Sequence, residues 1–383
     1  MARYHPKDFS KLIKEKIIIV GAFPKGNKEI YGGILQSCKI ILDSSLSKNF
    51  NLITVDSTQI SNPPANLIVR FFYAVKRIVE FTYKLIIERP KVALIFTSDG
   101  LSAIEKGFMC FIASFTNCNS IIFPRAGNLI HQTKNSKIFK IVIRYLFKKA
   151  KIFLCQGAGW KNFAHEELGF EGTQLKIINN WTATKKLIQI GEQRNFEKKN
   201  ESIRILFVGW LEEYKGVFEL LEASKELIDE GYKFNIVFAG DGHAKNKAKM
   251  FIKNNNLLDY VELYGWTDEQ NLHELYSKND IFILPSWSEG LPNSMIEAMS
   301  AGLSVIVSNV GVIPDFIENN KNGLIIEPKN KDSLKSAMIS LLNDKNLLKK
   351  IAINGHNFSK NKFSSEIGIK RLLFLMEEII NKK

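Results

Sequence analysis

Short runs of wholly apolar residues alternate along this chain with longer stretches in which apolar residues recur every three or four positions. The first kind predicts buried strands and the second amphipathic helices. In the first half, strands are predicted at Lys16 to Val20, Leu52 to Val55, Val92 to Phe96, Ser120 to Phe123 and Lys151 to Cys155. The stretches between them predict helices over roughly 34–47, 66–88, 101–115, 134–150 and 158–168. Alternation of this kind argues for a parallel sheet covered on both faces. The pattern restarts at Ile203 to Val208, with an amphipathic helix over Val217 to Glu230. Further strands follow at Phe234 to Ala239, Tyr260 to Tyr264, Ile281 to Leu284, Leu303 to Val307 and Gly323 to Glu327. A last helix, about Ser364 to Asn381, has an apolar face containing Ile367, Leu372, Phe374, Leu375 and Ile379.

The expected fold is therefore α/β, with two Rossmann-like, doubly wound parallel-sheet domains. A length of 383 residues suits two such units. The polar stretch Thr182 to Glu201 reads as the linker. The divisions are residues 1–185, 200–362 and a terminal helix at 363–383.

The most informative stretch is Asp280 to Ala301. Its strand is stopped by Pro285, and a helix is expected to start near Asn293, where Asn and Ser are good caps. Gly302 ends that helix. Glu289 and Glu297 flank the strand-to-helix turn, with seven residues between them. In an open parallel sheet such a turn lies at the carboxyl edge, where ligands bind. The amides of Gly290, Leu291, Asn293 and Ser294 can face an anion, which the helix dipole favours. Near the start of the chain, Gly32 and Gly33 open a helix and allow backbone to approach a phosphate closely. A plain tight turn is an equal reading of those two residues alone.

The run Glu-Gly-Leu-Pro-Asn-Ser-Met-Ile-Glu-Ala-Met, with the strand before it, resembles the Glu-x7-Glu motif of retaining GT-B glycosyltransferases of the family 4 type. The resemblance covers nearly the whole chain, strongly over 203–327 and thinly over 1–190. It implies a GT-B fold whose last helix crosses back onto the first domain. It implies a first domain that faces acceptor and membrane and a second that binds the nucleotide sugar. By resemblance Glu289 contacts the donor sugar and Glu297 the ribose hydroxyls, a diol that a carboxylate can accept from in bidentate fashion. Leu291, Pro292, Asn293 and Ser294 bring backbone to the phosphates. Gly265 and Trp266 fall where the family holds the base, and Gly32-Gly33 matches its Gly-Gly. Gly209 to Gly216 resembles the loop whose lysine, here Lys215, binds the diphosphate. The arginine of that loop is Trp210 here. Phe123 to Gly127 resembles a segment with a histidine beside the reacting sugar. That position is Arg125, which cannot act as a base but can stabilise phosphate charge. Ile177 to Trp181 resembles the segment leading out of the first domain, without its proline.

Other features narrow the class. Four cysteines form no Cys-x-x-Cys pair and no zinc spacing, so reduced, mostly buried thiols are expected. No Asp-x-Asp, P-loop or Gly-x-Ser-x-Gly elbow is present, which favours metal-independent catalysis with no cofactor. The opening segment has no signal-peptide core, and no apolar run is long enough to span a bilayer. The charge is uneven: residues 1–190 carry a net +16 and residues 191–383 a net −2. Lys137, Lys140, Arg144, Lys148 and Lys151 recur at helical spacing, and Arg70, Lys76, Arg77 and Lys84 lie on a phenylalanine-rich stretch. A basic amphipathic helix reads as a membrane-surface element, and no nucleic-acid module accompanies the charge. The expected enzyme moves a hexose or N-acetylhexosamine from a nucleotide sugar, a UDP-sugar, to a polyprenyl-diphosphate-linked saccharide. It would act at the inner face of the cytoplasmic membrane, in bacterial surface-polysaccharide (O-antigen or capsule) assembly. A non-catalytic GT-B partner subunit and a non-hydrolysing sugar-nucleotide epimerase are the competing readings.

Overall fold

The computed structural model describes residues 14–23, 32–58, 66–196 and 202–381. Two six-stranded parallel sheets organise them. The first contains β1 (Lys16–Gly21), β2 (Asn51–Asp56), β3 (Val92–Thr97), β4 (Asn119–Pro124), β5 (Ile152–Cys155) and β6 (Leu175–Ile177), in the order β2-β1-β3-β4-β5-β6. The second contains β7 (Ile203–Val208), β8 (Phe234–Ala239), β9 (Val261–Gly265), β10 (Ile281–Leu284), β11 (Ser304–Ser308) and β12 (Leu324–Ile326), in the order β12-β11-β10-β7-β8-β9. Strands covered on both faces must be apolar throughout. Accordingly every residue of β3 and β11 is buried, including Ser304 and Ser308.

The helices of the first unit are α1 (Gly33–Leu42), α2 (Ser45–Asn49), α3 (Leu67–Glu88), α4 (Gly100–Ala113), α5 (Asn128–Asn135), α6 (Lys137–Phe147) and α7 (Ala158–Glu166). Those of the second are α8 (Lys185–Glu192), α9 (Val217–Asp229), α10 (Lys245–Asn254), α11 (Glu269–Lys278), α12 (Asn293–Ser300), α13 (Lys331–Asn343) and α14 (Lys345–Phe363), and α15 (Ser365–Asn381) closes the chain. Strand order reverses between β1 and β3 and between β7 and β10. At such points the flanking loops diverge and leave a crevice beyond the strand ends. The two crevices face each other.

Alternate residues of the first sheet serve two cores. Ile18, Val20 and Ile95 face α3 and α4. Ile17, Ile19 and Leu94 face α15 through Ile369, Leu372, Leu375, Met376 and Ile379. Two apolar residues assigned to that helix face in the sequence are misplaced: Phe374 points to solvent and Ile367 is only partly buried. Gly368 lets the helix lie directly on Trp181, because a Cβ there would sit 2.4 Å from the Trp181 Cβ.

The stretch read as a linker is not featureless. Thr184 caps α8 by accepting from the Leu187 amide, and Arg194 fastens the end of this segment. Its guanidinium donates to the carbonyls of Tyr276, Asn279 and Ala301 at 2.6, 2.7 and 2.9 Å. The chain crosses between units where Ala183 N donates to Phe363 O and Ser365 N donates to Ala183 O. Residues 197–201, part of the stretch read as the linker, and Tyr31, next to Gly32-Gly33, lie outside the described residues.

Candidate active site

A cleft of about 990 Å³ runs between the two sheet edges. Gly32, Gly33 and Arg125 line it from the first unit, and Trp210, Lys215, Trp266, Glu289, Leu291, Pro292, Asn293, Ser294 and Glu297 from the second. Of the residues expected here, two stand apart. Gly265 is tied into the sheet edge by its carbonyl, which accepts from Gly240 N at 2.8 Å. Gly290 is pressed against the Arg125 carbonyl and Gln156.

The Glu289 loop is held by backbone packing. A Cβ on Gly127 would sit 1.8 Å from the Glu289 carbonyl oxygen, so only glycine fits there. The Glu289 carboxylate accepts from Lys215 Nζ at 2.6 Å and from Ser286 Oγ at 2.8 Å. Both members of the ion pair are largely enclosed, the side chains 15% and 10% exposed. Burial pulls the lysine pKa down, but the Glu289 carboxylate outweighs that and holds it above its ordinary value. Lys215 reaches this position because Gly216, at φ 74°, turns the loop over the Pro285 carbonyl. L-residues with a side chain rarely adopt that conformation.

Arg125 faces this pair from the first unit. Its guanidinium lies 4.9 Å from the Phe123 ring centre and 5.9 Å from that of Trp181. It donates to Ser37 Oγ at 3.1 Å and to Asn293 Oδ1 at 3.3 Å, while Nη1 has no hydrogen-bond partner among the described residues. Among the described residues no carboxylate pairs with it. Burial lowers its pKa to about 10. A desolvated cation with an idle donor is a costly feature unless an anion completes it.

Two helix starts converge beside Arg125. Neither α1 nor α12 has a capping side chain. The expectation that Asn293 caps its helix is corrected, since Pro292 holds the cap position. Asn293 instead spans the cleft, donating to Gly33 O at 2.8 Å and accepting from Asn180 Nδ2 at 2.7 Å. Asn180 also donates to Leu291 O at 2.7 Å. The uncapped amides retain their partial positive charge.

Glu297 is buried on α12. Burial raises its pKa to about 7, a donated hydrogen bond from Tyr276 at 3.0 Å opposes the rise, and the charge of Glu269 adds to it. Trp210 stands edge-to-face with Trp266, ring centres 4.8 Å apart. Lys39, a further cation of the cleft, is spoken for by Glu269 across the opening. Sequence reading missed Tyr276, Ser286 and Asn180. Asn180 and Ser286 lay within segments already singled out, whereas Tyr276 carried no local signal. The four cysteines are free and buried, and burial pushes each thiol up to about 12.

Fold and cleft together define a two-domain GT-B protein, an architecture shared with known proteins. Sucrose-phosphate synthase from Thermosynechococcus elongatus superposes with a TM-score of 0.78 over 97% of this chain and 100% of that one, at 15% identity. Residues 189–358 match the family described as glycosyl transferases group 1. An uncharacterized glycosyltransferase of Methanocaldococcus jannaschii is 27% identical over 355 residues, covering 91% of this chain and 95% of the relative. The UDP-Gal:alpha-D-GlcNAc-diphosphoundecaprenol alpha-1,3-galactosyltransferase of Escherichia coli is 27% identical over 252 residues, 61% of this chain and 64% of the relative. The chain is a glycosyltransferase, and its match to the group 1 family lies in the second domain.

Proposed function

We propose that this enzyme transfers a hexose or N-acetylhexosamine from a UDP-sugar to a polyprenyl-diphosphate-linked saccharide, with retention of anomeric configuration. The setting is bacterial surface-polysaccharide assembly at the inner face of the cytoplasmic membrane. One observation carries the reading. A Lys215–Glu289 pair and an Arg125 guanidinium with no carboxylate partner among the described residues face one cleft, beside the uncapped start of α12. That arrangement suits a diphosphate with a sugar next to it. Lys215 and Arg125 stabilise the leaving diphosphate, which takes the electron pair of the broken sugar–oxygen bond. Glu289 meets the donor sugar and Glu297 the ribose. Trp266, with Trp210, bounds the base. The E. coli relative, named for a UDP-galactose donor and a diphosphoundecaprenol acceptor, supports the substrate classes. Relatives named for amylovoran biosynthesis in Erwinia amylovora and capsular polysaccharide biosynthesis in Staphylococcus aureus support the setting. No metal or other cofactor is proposed.

A thermal-shift screen against UDP, GDP, ADP and CMP, with and without EDTA, tests the donor site. A nucleotide at about 100 times its dissociation constant stabilises by roughly 2.7 kcal/mol. The expected result is a shift with UDP that EDTA leaves alone. Folded protein that responds to none of the four nucleotides would overturn the reading. An EDTA-sensitive shift would overturn the metal-free part.

A further inference from the structure

Helices α3, α4 and α6 pack side by side over one face of the first sheet. The outward surface of α3 is apolar. Ile68, Phe72, Val75, Val79, Tyr83 and Ile86 recur at spacings of three and four and are each at least 42% exposed. Such a stripe normally faces a core. Here the core takes Phe81 and Leu85, and the basic side turns inward. Arg77 makes a bidentate pair with Glu105, and Lys84 donates to Thr54 O and pairs with Glu80. On α6, Ile138, Ile141 and Tyr145 form a second outward stripe. The basic stripe expected on α6 is partly consumed, since Lys140 pairs with Glu167 and Lys148 donates to Gly169 O. Phe111, 6.2 Å from Tyr145, and the exposed Phe115 join the two surfaces through α4. Apolar patches this extensive mark a partner or a membrane.

We infer that this face inserts into the headgroup layer of an anionic bilayer, with α3 lying in the membrane plane. From Ile68 to Ile86 its apolar stripe is about 27 Å long, at 1.5 Å per residue. Charge selects lipid over a second copy of the chain. Residues 66–151 hold 15 Lys+Arg and 4 Asp+Glu. Of those acids, Glu80, Glu88 and Glu105 are already in ion pairs. Two such faces would repel each other, whereas the rim of Arg70, Lys76 and Lys137, unpaired among the described residues, attracts anionic headgroups. Lys149 lies over the Tyr145 ring at 5.1 Å, an aromatic–cation pairing suited to the interface. No described helix is long and apolar enough to cross the bilayer. α4 starts two residues after Ser98, which lines the cleft, so the end of this face where α4 begins is the end nearest the cleft. The inference rests on the lipid-linked acceptor for its purpose, but the contact surface can be tested without any substrate.

The native thiols are buried, so a polarity-sensitive dye reports from an introduced cysteine. Phe72→Cys, Ile141→Cys and a control on the far domain, Lys253→Cys, are labelled. Each is mixed with vesicles of phosphatidylcholine containing about a quarter phosphatidylglycerol. Blue-shifted emission is expected at the first two positions and not at the third. Phe72→Ser combined with Val79→Ser, both exposed sites, should weaken vesicle binding about tenfold or more, with the UDP thermal shift kept. Unshifted dye at Phe72→Cys on vesicle-bound protein would overturn the surface, as would no vesicle binding at all. A blue shift that grows with protein concentration in buffer alone would assign the face to a second copy. A UDP shift without insertion leaves the donor reading intact, and insertion without a UDP shift does the reverse.

Discussion

Replacing Glu297 by Gln should make the protein more stable at alkaline pH while impairing it as an enzyme. Glu297 is buried in the α12 packing, and among the described residues the Tyr276 hydroxyl is its one hydrogen-bond partner. Its pKa rises from an ordinary 4.5 to about 7 on folding. A group whose folded pKa is raised contributes stability that is complete below its unfolded pKa. That contribution is lost as pH rises through the folded pKa. The window here is about pH 4.5 to 7, and the loss amounts to about 3 kcal/mol. Glutamine has the shape of the protonated acid and no charge to bury. Wild type and Glu297→Gln should therefore unfold alike near pH 4.5, and the variant should gain steadily until about pH 8. For a domain of this size the gain corresponds to roughly 6–12 °C, at 2–4 °C per kcal/mol. Thermal unfolding of both proteins at several pH values reads it directly. The same variant should bind UDP about tenfold more weakly, because a carboxylate accepts from a diol more strongly than an amide. A difference in melting temperature that stays flat across the pH series would refute the reasoning, since Glu297 would then be solvated or paired in a way its surroundings do not show.

Three further outcomes follow from the geometry. Lys215→Ala strips the Glu289 carboxylate of its cation and should cut turnover by at least about 100-fold, read in a sugar-transfer assay; activity within a few-fold of wild type would remove Lys215 from the chemistry. Gly127→Ala drives a methyl group into the Glu289 carbonyl and should lower transfer strongly while weakening UDP binding to the full chain by a few-fold at most, measured by calorimetry. Arg194→Ala abandons three carbonyls behind α8 and should lower stability by about 3 kcal/mol or more in a urea titration, with little change if that segment acts as a loose tether.

The fold was legible because buried parallel strands must be apolar throughout while their covering helices need be apolar on one side only. That contrast located the five longer strands of the first sheet and the succession of the second. It failed where the signal was short or diluted. β6 spans only Leu175–Ile177 and makes no pattern. α8 carries Lys185, Lys186, Gln189 and Glu192 around Leu187 and Ile188, so it resembled linker composition, although Thr184 offered a cap. The Glu289 loop and Lys215 were legible because their chemistry is written in contiguous residues. The partnerships of Asn180 with Asn293 and of Tyr276 with Glu297 were not, because each joins elements whose own sequences say nothing of the other.

The sequence by itself determined the two-domain α/β order, the turn bearing Glu289 and Glu297, and the loop bearing Lys215. Each of these depends on local periodicity or on a few adjacent residues. Tertiary structure alone decided direction and partnership. The periodicity of α3 showed that an apolar stripe exists, but only packing on the sheet, with Arg77 bound inward to Glu105, turned that stripe to the outside. Arg125 was singled out in sequence only by its place in the resembled segment, and nothing local shows whether its charge is paired. The fold lays it over Phe123 and Trp181, away from every described carboxylate, and so leaves a cation waiting in the cleft. Which side of a helix is buried, and which charge lacks a counter-ion, are set by residues far away in the chain, and no local pattern can carry that information.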